Sequence, residues 1–193
     1  MASRRFAVLA LRALVAFAAA GAFGCALPVA PYEVSYDNVK ALATASVDRV
    51  AVDRFTTSGS DTTMSMRGVD RAVSPVGDGF ADYLRDALQR EIRRANLLDE
   101  EAPARLSGNI LENHFRTWKG QTVVSVEFVV RRDDSERYRR TIRSDLPWNS
   151  AFSGVVAQTN ALQSYPAAIR ELLGELYRDP AFLEALGASK AKR

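Results

Sequence analysis

Cysteine and histidine each occur once in the 193 residues. One cysteine excludes an intramolecular disulfide framework and a multi-cysteine zinc site. One histidine excludes a multi-histidine metal centre. A Gly-x-Ser-x-Gly nucleophile elbow, a P-loop and a Gly-x-Gly-x-x-Gly after a strand are all missing, so no cofactor is expected. An excess of one charge is missing too. The chain has 26 Lys+Arg against 23 Asp+Glu, for a formal charge of +3. That surplus sits in Arg4, Arg5 and Arg12, within an acid-free stretch 1–24, and residues 25–193 balance. A neutral mature chain argues against nucleic acid as a partner. What is present is ordinary for one globular domain: 47% apolar and 25% charged residues,.

Residues 1–24 read as an export signal. Three arginines precede Ala13–Gly24, an unbroken run of apolar and small residues. As a helix that run is about 18 Å long, against a bilayer core of about 30 Å. An uncleaved membrane span would have to take in Arg12, so cleavage is the expectation. The run ends at Ala22-Phe23-Gly24-Cys25.

Residues 26–47, with Pro28 and Pro31 and little periodicity, read as a flexible tether that begins at Cys25. A short strand is expected at 48–55. Residues 56–75 are rich in Ser and Thr and read as a mobile loop, with an edge strand near Thr62–Val69 as an alternative. Met64 and Met66 share one side of a pleat there, and the functional reading makes them adaptable contacts for a partner.

Phe80, Leu84, Ala87, Leu88, Ile92 and Ala95 recur with helical spacing, which predicts a helix over 76–96,. Ser74 or Asp78 would cap it, Asp86 and Arg90 would pair, and Asn96 would end it. Three strands follow. The first, 106–118, alternates unevenly, and Lys119-Gly120 turns the chain. In 123–130, Val124, Val126, Phe128 and Val130 share one face. Asp133-Asp134-Ser135 makes the next turn, and Tyr138, Arg140 and Ile142 lie opposite Arg139, Thr141 and Arg143. Helices complete the chain: one stripe from Phe152 to Thr159, a second segment started or kinked by Pro166, and a short turn after Asp179-Pro180. Residues 48–186 therefore predict a single α+β domain, a two-layer sandwich of order β-α-β-β-β-α, with one mostly antiparallel sheet carrying helices on one face. Residues 187–193 form a basic tail.

His114 lies in a strand, and no serine carries a motif that would make it a catalytic base. Glu112 with His114 offers too few ligands for a structural metal. Arg131, Arg132, Arg137, Arg139, Arg140 and Arg143 make a basic hairpin around Asp133, Asp134 and Glu136, and the first five are the candidate partner contacts. It reads either as a solvated hairpin with cross-strand pairs or as a contact for anionic headgroups or an acidic partner. Trp118 and Trp148 follow strands, and each reads either as an exposed anchor or as a cover for the core, which tryptophan generally favours.

Gly24-Cys25 after the apolar run resembles a bacterial lipobox, although Ala22 and Phe23 stand where that pattern prefers Leu and a small residue. The element order is similar to that of small envelope lipoproteins, namely transport-auxiliary and LptE- or YajG-like groups. The resemblance implies cleavage before Cys25, lipidation at Cys25 and, because Ala26 is not Asp, the periplasmic face of the outer membrane. It further implies a non-enzymatic accessory with a protein partner in the envelope. A carrier of lipid or another apolar ligand is the alternative, and it would need an apolar groove between sheet and helices.

Overall fold

A computed structural model of the chain describes residues 26–59, 63–66, 70–151 and 153–187. The strands are β1 (Ala26–Pro28), β2 (Val50–Thr57), β3 (Thr63–Ser65), β4 (Arg71–Val73), β5 (Ala104–Arg116), β6 (Gln121–Arg132) and β7 (Ser135–Pro147). The helices are α1 (Tyr36–Thr44), α2 (Phe80–Arg94), α3 (Gly154–Arg178) and α4 (Pro180–Ala185).

The main sheet has the order β2-β5-β6-β7. β2 runs parallel to β5, and the other neighbours are antiparallel. This is the expected α+β sandwich. The β6–β7 turn works because Asp133 and Asp134 both take left-handed backbone, which matches the twist of a tight hairpin,. Val124, Val126, Phe128 and Val130 of β6 face the helices with Leu106 and Ile110 of β5 and Tyr138 and Ile142 of β7. A β-bulge between Ile110 and Glu112 then changes the parity, so Phe115 also reaches the core,. Gly108 has a steric reason. A Cβ there would run into the ring of Phe55, which packs edge-to-face on Phe128 at 6.2 Å.

The stripe of α2 is buried as its spacing requires. Asp86 and Arg90 pair at 3.5 Å, and Asn96 supplies the left-handed stop. The start of α2 differs from expectation. Gly79 occupies the cap position without a side-chain bond. The Asp78 N–H instead donates to the Asp82 carboxylate at 2.9 Å, and Ser74 bonds to Val76. Tyr165 of α3 lies at the centre of the sheet–helix interface, against Phe80 at 5.1 Å, Tyr83 at 5.2 Å and Phe115 at 6.2 Å.

Three expectations need correction. Residues 26–47 are not a tether. They supply β1 and α1, and Val29, Tyr32 and Leu42 are core residues. For segment 56–75 the mobile-loop reading gives way to the edge-strand alternative, since β3 falls within Thr62–Val69. β3 and β4 both lie in the segment and join β1 in a second sheet of order β1-β4-β3. Pro166 neither starts nor divides a helix, because α3 runs unbroken through it. Phe152, Cys25 and the tail 188–193 lie outside the described residues.

Candidate functional site at the two ends of the sheet

β6 is 12 residues long, so about 40 Å separate its ends at the usual rise per residue. The β5–β6 turn, the start of α3 and the start of β1 lie at one end. The β6–β7 turn and α4 lie at the other. Each end is built differently.

At the first end the chain enters the fold at Ala26, whose register partner in β4 is Arg71. The segment is then fastened residue by residue. The Val29 N–H donates to the Val73 carbonyl at 3.0 Å, and the Ala30 N–H donates to the Leu162 carbonyl at 3.1 Å. Leu162 is four residues before Pro166. Proline has no N–H to give that carbonyl, so α3 leaves an acceptor open and the N-terminal segment fills it. The Tyr83 hydroxyl donates to the Ala30 carbonyl at 2.8 Å, and the Arg90 guanidinium donates to the Tyr32 carbonyl at 2.9 Å.

Further along, the segment closes over Glu91, which is fully buried. One carboxylate oxygen accepts from the Tyr32 hydroxyl at 2.6 Å and from the Ser35 N–H at 2.9 Å. The Asn38 amide donates to the same carboxylate and to the Arg170 carbonyl at 3.0 Å. Burial pushes the Glu91 carboxyl above its ordinary range, and these hydrogen bonds only partly oppose it,. Gly174 lets α1 approach α3, since a Cβ there would meet the Asn38 side chain.

At the far end, the arginines singled out in the sequence have separate roles. Arg132 bonds to Asp48 at 2.8 Å and to the Leu186 carbonyl at 3.1 Å. Arg139 bridges Glu127 at 2.7 Å and Glu136 at 2.6 Å. Arg140 faces the helix side of the sheet and reaches Asp179 at 2.9 Å. All three are thus already paired within the fold, although Arg139 and Arg140 remain exposed. Asp179 is buried and also accepts from the Tyr138 hydroxyl at 2.7 Å and the Ala181 N–H at 3.0 Å. Burial opposes its ionisation, yet Tyr138, Arg140 and that cap bond together hold its carboxyl below the usual range,. Among the described residues no ion pair reaches Arg131 or Arg137, and both are exposed. Arg137 lines a cavity of about 440 Å³ with Arg132, Glu184 and Gly187.

Met64 and Met66 are not contact residues. They are 3% and 8% exposed and belong to the core under the small sheet. Trp148 lies against the core and donates to the Thr122 hydroxyl at 3.1 Å. Trp118 does not cover the core, being 79% exposed. His114 is partly buried on the open face of the sheet, and burial together with Arg116 lowers its pKa. Its neighbour Glu112 is paired with Arg143. Among the described residues no group of three or more His, Cys, Asp or Glu side chains gathers to hold a metal. No helix among them is long and apolar enough to cross a membrane.

The groove that a carrier needs between sheet and helices is filled by Tyr165, Phe80, Tyr83 and Phe115. A cavity of about 580 Å³ opens elsewhere, between Pro28–Glu33 and the middle of α3.

No family model matches the chain, and no curated protein does. Solved structures do. Protein XCC0632 from Xanthomonas campestris, which carries the family designation DUF330, aligns with a TM-score of 0.58 at 11% identity, covering 83% of this chain and 96% of its own. The hypothetical protein CT253 from Chlamydia trachomatis aligns at 0.47 and 10% identity, over 67% of this chain and 93% of its own. PelC from Paraburkholderia phytofirmans, a dodecamer, aligns at 0.37 and 15% identity, over 72% and 92%. The likeness to XCC0632 shows a shared fold.

Proposed function

We propose that the chain is a lipoprotein anchored at Cys25 to the periplasmic face of the outer membrane, acting as a non-enzymatic accessory or binding subunit of an envelope transport or assembly system. One observation carries the reading further than the leader does. β1 begins at Ala26, the residue after Cys25, so an acylated Cys25 would hold the domain against the leaflet with no spacer. Three acyl chains would make that attachment firm, since one alone is marginal. The basic hairpin is then at the end of the sheet remote from the lipid. That position favours an acidic protein partner over anionic headgroups, and Arg131 and Arg137 are the cations open to it.

Two experiments test this. Cys25→Ala should release the protein from the membrane fraction, and retention would place the anchor elsewhere. Crosslinking at native expression should recover a partner that the double variant Arg131→Glu, Arg137→Glu loses. Equal recovery from both would remove the hairpin from the interface.

A further inference from the structure

Among the described residues the exposed large apolar side chains include Trp118, Val155 and Val156. Trp118 is 79% exposed and Val155 72%. All three lie at the end where the chain enters the fold. Hydrogen bonds establish that proximity. Ser150 donates to the Thr117 carbonyl at 2.8 Å, and the Trp148 N–H donates to the Gly120 carbonyl at 2.7 Å. These fasten the Trp118 turn to the linker before α3. Asn160 in turn bonds the Asn149 carbonyl at 2.8 Å, tying that linker to the first turns of α3. On the other side Gln158 donates to Asp70 at 2.7 Å. Asp70 precedes Arg71, the register partner of Ala26. Val155 is one helical turn before Gln158, so the indole, the two valines and Ala26 share one edge.

The turn that carries Trp118 is closed by hydrogen bonds and by a glycine that its geometry requires. Gly120 takes left-handed backbone at φ 64°, and a side chain there would strike the Trp148 carbonyl. The Lys119 N–H closes the turn on the Arg116 carbonyl at 3.0 Å. Such a turn holds the backbone of Trp118 so that its indole projects from the fold. Lys119, next to Trp118, and Arg71, the register partner of Ala26, are both exposed and add positive charge to this edge.

We infer that this edge is a membrane-contact surface, with Trp118, Val155 and Val156 seated at the headgroup–acyl boundary of the leaflet that holds the anchor. The occupant follows from where the chain emerges: one residue before Ala26 is Cys25, so an acylated Cys25 brings lipid to this edge. Indole prefers the membrane interface because its ring is apolar and its N–H remains hydrated, and lysine and arginine suit anionic headgroups. The inference rests on the proposed lipidation, and it adds that the domain has a fixed orientation on the bilayer rather than pivoting on its acyl chains.

The two tryptophans make it testable. In full-length processed protein, Trp148→Phe leaves Trp118 as the sole emitter, and Trp118→Phe leaves Trp148. Each is mixed with phosphatidylethanolamine–phosphatidylglycerol vesicles, plain or carrying bromine on the acyl chains near the headgroup. The expected result is a blue shift and a loss of Trp118 emission in brominated vesicles, with Trp148 emission unchanged. If the protein sediments with vesicles but Trp118 emission stays as in plain lipid, the anchor stands and the contact edge is overturned. A Trp118 blue shift without quenching, accompanied by self-association, assigns the edge to a second copy and also overturns it. If the protein does not sediment at all, the lipid anchor fails and the contact edge falls with it.

Discussion

Glu91 and Asp179 are both buried carboxylates that fasten peripheral segments to the core, yet their electrostatics are opposed. Glu91 holds the N-terminal segment through donors without charge, namely a tyrosine hydroxyl, an asparagine amide and a backbone N–H. Asp179 holds the β7 edge and α4 and adds a cation, Arg140. The Glu91 carboxyl is pushed up and the Asp179 carboxyl held down. Neutral hydrogen bonds place a segment accurately but do not offset the desolvation of a charge, whereas a guanidinium does both. The N-terminal attachment is thus geometrically specific but electrostatically costly, whereas the C-terminal one is equally specific and its charge is compensated.

The largest way to break this comparison is Glu91→Ala. It strands the Tyr32 hydroxyl, the Asn38 amide and the Ser35 N–H in a buried site, at about 3–5 kcal/mol by the usual cost of unpaired buried groups. Denaturant unfolding measures it. Glu91→Gln keeps the oxygen that accepts from Tyr32 and Ser35, loses only the weaker contact in which the second oxygen accepts from Asn38, and should cost less. Equal losses in both variants would mean that the site depends on the charge and not on its hydrogen bonds. Asp179→Ala ranks second, at about 2–3 kcal/mol, from the lost α4 cap and the lost Tyr138 partner. The Arg140 contribution is discounted because that side chain is more than half exposed,.

A pH series sharpens the contrast. The native Glu91 carboxyl binds its proton more readily than the unfolded one, so protons favour the fold. Its contribution is complete below the unfolded value and is lost as pH rises through the raised folded value. Lowering pH from neutrality should therefore stabilise the wild type at first, and Glu91→Gln should flatten that rise. Asp179 has the opposite sign. Its contribution is present above the unfolded value and is lost as pH falls through the depressed folded value. The stability gap between wild type and Asp179→Asn should consequently narrow only in strong acid. A gap that stays constant there would show that Asp179 keeps its ordinary titration.

The same two regions differ in how well the sequence announces them. The hairpin of β6 and β7 is legible because residues alternate over its whole length, and α2 because its stripe keeps helical spacing for four turns. Even Arg140 was placed by parity on the side of Tyr138 and Ile142, although its pairing with Asp179 needed the fold. The N-terminal segment has no such signal. Val29 and Ala30 are held through backbone groups, Tyr32 is buried while Tyr36 is exposed, and α1 buries only Asn38 and Leu42. Contacts of that kind leave no period. Met64 and Met66 showed their shared pleat side correctly. A pleat has two sides, however, and the sequence did not say which one faced the core. Trp118 stayed open between an exposed anchor and a core cover, because the general tendency of tryptophan to be covered gives no information about a turn that holds it outward.

Pro166 is the smallest and most selective probe of the N-terminal attachment. Its missing N–H leaves the Leu162 carbonyl without a helical partner, and the Ala30 N–H takes that place at 3.1 Å,. Pro166→Ala would return a competing donor one turn along α3. Helix propensity favours alanine, while the attachment is weakened, so the two effects oppose each other and the unfolding midpoint should shift by no more than about 1 kcal/mol. The local effect should be larger than the global one. Amide hydrogen exchange at Ala30 should accelerate, whereas Val29, bonded to Val73 in the small sheet, should keep its protection,. Unchanged exchange at Ala30 would mean that the carbonyl serves both donors, and that the segment is held by Glu91 and the buried side chains alone.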